Sequence, residues 1–137
     1  MANSNVDLVK TFFETALSGD LEGLKKFLHP DVRVYEADSL PYGGVKVGID
    51  AMVGLNDEVF KFWADISITI KHIFGEGEWV AALTEMQGTS RTTGVRFKVP
   101  LSEVFRIKDG KVVEITPYYF DTKLLYDAHH GTGTNKG

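Results

Sequence analysis

At 137 residues, 43% hydrophobic and 25% charged, the chain is long enough for one globular domain with a real core and too apolar to be disordered. A formal net charge of −4 without any Lys/Arg run argues against nucleic acid and anionic membrane surfaces as partners. The absence of cysteine excludes disulfides, thiolate catalysis and cysteine metal sites. MANSNVDLVK has no signal layout, and no apolar run reaches membrane-spanning length, so a cytoplasmic location is the expectation.

Val6, Val9, Phe13, Ala16 and Leu17 recur at helical spacing and predict an amphipathic helix over about 4–18, capped by Ser4 and stopped by Gly19. Asp20 would cap a short helix carrying Leu21, Leu24 and Leu28, and His29-Pro30 would end it. A strand over 32–38 puts Val32, Val34, Glu36 and Asp38 on one face, with Arg33, Tyr35 and Ala37 on the other. Residues 39–44 are turn chemistry. A third helix over about 50–63, capped by Asp50, buries Ile49, Met52, Val53, Phe60 and Trp63, with Asn56 on the same side.

Strands follow. Ile66, Ile68, Ile70, His72 and Phe74 alternate with Ser67, Thr69 and Lys71, and 79–89 is apolar on both faces. Residues 96–121 form a hairpin turning at Lys108-Asp109-Gly110-Lys111, because Asp-Gly accepts the φ > 0 that a tight hairpin loop demands. Phe97, Val99, Leu101, Phe105 and Ile107 share one face of its first strand, and Glu103 falls within that row. A slip of one residue would expose five apolar side chains, so the register is well determined. Residues 122–130 predict a last helix, and 131–137 a disordered tail after a single domain over 1–130.

Helices first and hairpin-linked strands after them give an α+β fold with helices on one face of an antiparallel sheet. Val80, Ala82, Met86, Val104, Tyr118 and Phe120 are assigned to the other face, and a second copy packed sheet to sheet would cover them, so a homodimer is expected.

The stretches FFETALSGDLEGLKKFLHPDV, VYEADSLPYGGVKVGIDAM and PLSEVFRIKDGKVVEITPYYFD resemble the nuclear transport factor 2-like superfamily, in its SnoaL-like and ketosteroid isomerase-like branch. The resemblance implies a cone: a curved antiparallel sheet wrapped by three helices of the N-terminal half around an apolar cavity, in a homodimer. From the ketosteroid isomerases it implies a general base at Asp38 and a protonated carboxyl, donating to an oxyanion, at Glu103. Their tyrosine donor falls on Phe12, which has no hydroxyl. Polyketide cyclases often carry a Trp-Asp pair in the last strand, where this chain reads EITPYYFD.

Asp38 is thus either a base at a cavity mouth or a turn residue bonded to its own backbone. Glu103 is either a proton donor with a raised pKa or an acid paired with a buried cation. His72 is either their partner across the cavity or a satisfied core histidine. Phe12, Tyr35, Trp63, Phe105 and Tyr119 are cavity lining or ordinary core. The four histidines, His29, His72, His129 and His130, lack a metal-ligand spacing, and neither a nucleophile elbow nor a phosphate or dinucleotide loop is present, so no metal or cofactor is expected. Two functions follow: a cofactor-free isomerase, cyclase or lyase doing acid–base chemistry on a small apolar carbonyl compound, or a non-catalytic binding domain for a small hydrophobic ligand. A dimerising module with a filled cavity is a third.

Overall fold

The computed structural model describes residues 4–132. Helix α1 spans Ser4–Ser18, α2 Leu21–Lys25, α3 Ile49–Phe62 and α4 Thr122–His130. Strands β1 (Leu28–Glu36), β2 (Gly44–Val47), β3 (Trp63–Glu76), β4 (Trp79–Ser90), β5 (Arg96–Lys108) and β6 (Lys111–Tyr119) form one open, curved sheet in the order β2-β1-β6-β5-β4-β3. The expected tail over 131–137 lies outside the described residues except for Gly131 and Thr132. These close α4: Gly131 takes the left-handed conformation, and the Thr132 N–H donates to the Asp127 carbonyl at 3.0 Å.

Strands β3 to β6 are consecutive antiparallel hairpins, as the sequence predicts. The β5–β6 loop places Asp109 at φ 53° and Gly110 at φ 72°, which matches the twist of the flanking strands. β1 joins the sheet by pairing parallel with β6, Val34 opposite Ile115. β2 was not expected. Gly43 folds back onto the backbone of Ala37 and Asp38, and this tight turn lets Gly44–Val47 pair with β1. β1 in turn starts at Leu28, so Leu28 reaches the core from a strand and not from α2.

β4 is reversed relative to expectation. Val80, Ala82 and Met86 point inward, and Trp79, Ala81 and Leu83 outward. The pairing with β5 enforces this, since Val80, Ala82 and Thr84 lie opposite Phe105, Glu103 and Leu101, whose row faces the helices. α1 packs on β3 and β4, α3 on β1, β2 and β3, and α2 bridges α1 and α3. The helices therefore cover the inner face of the sheet.

Two aromatic clusters brace this inner layer. Phe12 and Phe13 meet Phe105 edge to face at 5.6 and 5.5 Å. Trp63 meets Phe97 at 4.8 Å and Tyr42 at 6.4 Å. Phe12, Trp63 and Phe105 are therefore packed core and not cavity lining. Edge-to-face pairs of this kind contribute about 0.5–1.5 kcal/mol beyond the burial of their area.

The glycines give a stability test. A Cβ at Gly43 would collide with the Ala37–Asp38 backbone, whereas one at Gly54, on the outer side of α3, meets open space. Gly43→Ala should lower the unfolding free energy by about 1–3 kcal/mol, and Gly54→Ala should raise it by about 0.5–1 kcal/mol, in urea titrations followed by circular dichroism.

Candidate functional site

Between the sheet and the helices lies a cavity of about 110 Å³. α3 contributes Met52, Leu55, Asn56, Val59 and Phe60, the i, i+3, i+4, i+7, i+8 stripe of one helical face. α1 contributes Phe13, Ala16 and Leu17. Among the described residues Leu17 is the one exposed lining residue, and Ala16, Val59, Phe60, Ile66 and Ile68 of the lining are half-buried. The cavity thus opens between α1 and α3 above β3. Its volume suits a molecule of few non-hydrogen atoms and falls below the roughly 300–1,000 Å³ usual for drug-sized ligands.

The sheet places two carboxyls on this apolar lining. Glu103 sits in its β5 row between Leu101 and Phe105, opposite Pro117 on β6. Glu36 ends β1 on the same face as Val34. Oε1 of Glu36 and Oε2 of Glu103 are sealed from solvent and lack a hydrogen-bond partner, and so is Nδ2 of Asn56. Three unpartnered buried polar atoms thus belong to residues around one hollow. Such groups are costly, and their clustering points to a ligand or bound water as the missing partner.

Burial shifts both acids. Glu36 is pushed up to about 8, first by desolvation and then by the nearby Glu103 carboxylate, with Lys46 opposing. Glu103 is pushed up to about 7 by desolvation, with the Thr84 hydroxyl beside it opposing. Lys46 neutralises little, because its Nζ lies 3.8 Å from Glu58. Desolvation and mutual repulsion act in the same direction, so the two groups titrate as a pair that holds about one proton near neutral pH.

A hydroxyl chain reaches the same lining. Trp63 Nε1 donates to the Tyr42 hydroxyl at 2.9 Å, and the Tyr42 and Tyr119 oxygens lie 3.1 Å apart. Tyr119 lines the cavity, and its phenol is held well above its usual pKa, chiefly by burial.

Of the residues singled out from sequence, Glu103 and Tyr119 are at the cavity and the others are not. β1 stops at Glu36, so Asp38 leaves the sheet into an exposed turn and cannot reach the hollow. Glu36 takes the inward position instead. It shared the predicted face with Asp38, and the alternation was right; the end of the strand decided between them. His72 is exposed on the outer face. A bulge between Ile70 and His72 gives β3 one extra residue, so Ile70 and Ile73 both face inward and His72 lies opposite the outward Leu83. Tyr35 also faces outward, opposite Val45. Tyr42 was not found from sequence because it sits in turn chemistry, and only Asn56 carried a signal, its position on the buried stripe of α3.

The profile of the SnoaL-like domain matches residues 9–115. The chain belongs to the SnoaL-like family. A comparison with curated proteins gives no match. Among solved structures, this SnoaL-like domain is similar to an NTF2-like protein of unknown function from Burkholderia pseudomallei, at 25% identity and a TM-score of 0.84, over 93% of this chain and 98% of that one. It is similar in fold to a protein from Catenulispora acidiphila with a ketosteroid isomerase-like fold, in complex with trimethylamine, at 15% identity and TM-score 0.76, over 88% and 91% of the two chains. It is likewise similar in fold to TerC co-crystallised with polyporic acid, at 17% identity and TM-score 0.82, over 93% and 99%. Among the described residues no helix is long and apolar enough to cross a membrane.

The raised carboxyls carry a stability signature. An acid whose folded pKa lies above its unfolded value binds more protons when folded, so stability falls as pH rises between the two values. For Glu36 and Glu103 that window runs from about 4.5 to about 8. Thermal unfolding should give a melting temperature that drops from pH 5 to pH 8, by an amount equivalent to on the order of 3 kcal/mol. The double variant Glu36→Gln, Glu103→Gln should flatten that slope.

Proposed function

We propose that this SnoaL-like domain is a proton-transfer enzyme acting, without a cofactor, on a small carbonyl compound bound between Glu36 and Glu103. The observation that carries it is the pair itself: two carboxyls of raised pKa in one apolar cavity, each with a sealed, unpartnered oxygen. Near neutral pH one is ionised and the other protonated, which is the division of labour that enolisation requires. Glu36 feels the Glu103 carboxylate in addition to its own burial, so Glu103 is assigned as the base and Glu36 as the donor. The Glu103 carboxylate takes a proton from the carbon next to the carbonyl. The C–H electron pair moves into the enolate, and Glu36 donates a hydrogen bond to its oxygen. Glu103 exchanges that proton with solvent and returns one to a carbon of the enolate, which completes the exchange or an isomerisation and restores the base. This exchanges the roles expected of the acids: Glu103 is base and not donor, and Asp38 has no part.

Deuterium exchange tests this directly. Small ketones and β,γ-unsaturated ketones incubated with the protein in D2O should gain deuterium beside the carbonyl, followed by proton NMR. Glu103→Gln should slow exchange by roughly 10²–10⁴-fold. Glu36→Gln keeps an N–H donor and should cost roughly tenfold, less than the full loss of a donor. Asp38→Asn and His72→Gln should change nothing. Equal loss from Asp38→Asn would return the base to Asp38.

The alternative is a non-catalytic binding domain for a small hydrophobic ligand. The small volume and apolar lining favour it, and neighbours of the same fold were crystallised with small molecules. It predicts saturable binding with no exchange in wild type or any variant.

We also infer a homodimer through the outer face of the sheet. Phe74, Trp79 and Tyr118 are about half exposed there, and Phe120 just beyond β6 is 82% exposed. Burying such a patch is the ordinary role of an interface. Light scattering at micromolar concentration should give twice the chain mass of 15.2 kDa, and Tyr118→Lys with Phe74→Lys should return it to one. A wild-type monomer overturns the inference.

A further inference from the structure

The Tyr42 and Tyr119 hydroxyls are 3.1 Å apart, and on distance alone either could donate to the other. Trp63 breaks the symmetry. An indole N–H is donor only, and it donates to the Tyr42 oxygen at 2.9 Å. Tyr42 is 1% exposed, and among the described residues its hydroxyl contacts are Trp63 and Tyr119. Were Tyr119 to donate to Tyr42, the one Tyr42 proton would be left buried without an acceptor. With Tyr42 donating instead, every group on that side is satisfied and the Tyr119 proton is free. On the cavity side, two acceptors lack a partner: Oε1 of Glu36 and Oε2 of Glu103.

We infer that Trp63 and Tyr42 aim the Tyr119 hydroxyl proton into the cavity, where Tyr119 is a fixed hydrogen-bond donor for an acceptor oxygen of the ligand, that of a ketone, ester or enolate. That donor shares the cavity lining with the carboxyl pair. Tyr42 and Trp63 are positioning residues: they act through Tyr119 and not on the ligand. This deepens the proposed enzyme, because it names the group that orients the carbonyl between the acids, and it rests on that cavity being the binding site.

The direction of the proton is read without any ligand. Neutron diffraction from deuterium-exchanged crystals should place the Tyr42 deuteron on the line to the Tyr119 oxygen and the Tyr119 deuteron in the cavity. A Tyr119 deuteron on the line to Tyr42 overturns the inference. A second measurement follows the side-chain carboxyl carbons of Glu36 and Glu103 by NMR across pH. A donor facing a carboxylate stabilises its charge, so Tyr119→Phe should raise the apparent midpoint of the pair by roughly half a unit or more. Tyr42→Phe should raise it less, with the fold intact by circular dichroism. An unchanged midpoint in Tyr119→Phe also overturns the inference. Failure of deuterium exchange into ketones would sink the proposed enzyme and leave the hydroxyl direction standing, so the two failures are distinguishable.

Discussion

Two carboxyls that share an apolar hollow cannot both be charged without a large penalty, since burial strips their hydration and Lys46 offsets only part of the cost. The site of this SnoaL-like domain follows from that constraint. The chain brings Glu36 and Glu103 from two different strands to one cavity and leaves an oxygen of each unpartnered. Lys46, which partly offsets the shift of Glu36, has Glu58 as a neighbour as well. What results is a proton held in an environment where small changes decide which side carries it. In water the same two acids would be ionised and chemically dull.

The hollow lies between the sheet and the helices. Phe12 and Phe13 of α1 stack on Phe105 of β5, and Trp63 of β3 stacks on Tyr42 and Phe97. In the cavity lining the sheet carries Glu103, Pro117 and Tyr119, and α3 carries its stripe. A closely packed interior would close such a gap if side chains of the right length were present. Here the residues that reach into it are acids, an amide and a phenol, whose polar ends resist being covered by aliphatic neighbours. Burying Glu36 and Glu103 therefore costs stability, as it does wherever titratable groups sit in an apolar lining.

The outer face of the sheet follows different rules. Its salt bridges, such as Glu85 with Lys71 and Lys98, join partly solvated side chains and contribute little. Apolar residues beside them, Trp79 and Tyr118 among them, remain uncovered. The same strands thus present a closed inner surface and an open outer one, and the bulges in β3 decide which residues go to which.

Local pattern alone determined a good deal. The helical stripe of α3, the Asp-Gly hairpin and the inward row of β5 are all consequences of fixed periods, 3.6 residues and 2, that a single chain segment displays by itself. Glu103 was legible for that reason: five apolar neighbours on its face left it nowhere else to point. Asp38, His72 and Tyr35 were misplaced for reasons that do not appear in a segment read alone. The strand ended two residues before Asp38, an extra residue entered β3 before His72, and Tyr35 lay on the face away from the helices. Tyr42 joined the site from a turn, 77 residues from Tyr119 along the chain. A period predicts orientation only while the strand continues unbroken. Where strands end, bulge and meet is decided by pairing between distant segments, and that is why the acid pair and the hydroxyl chain became visible only in the folded molecule.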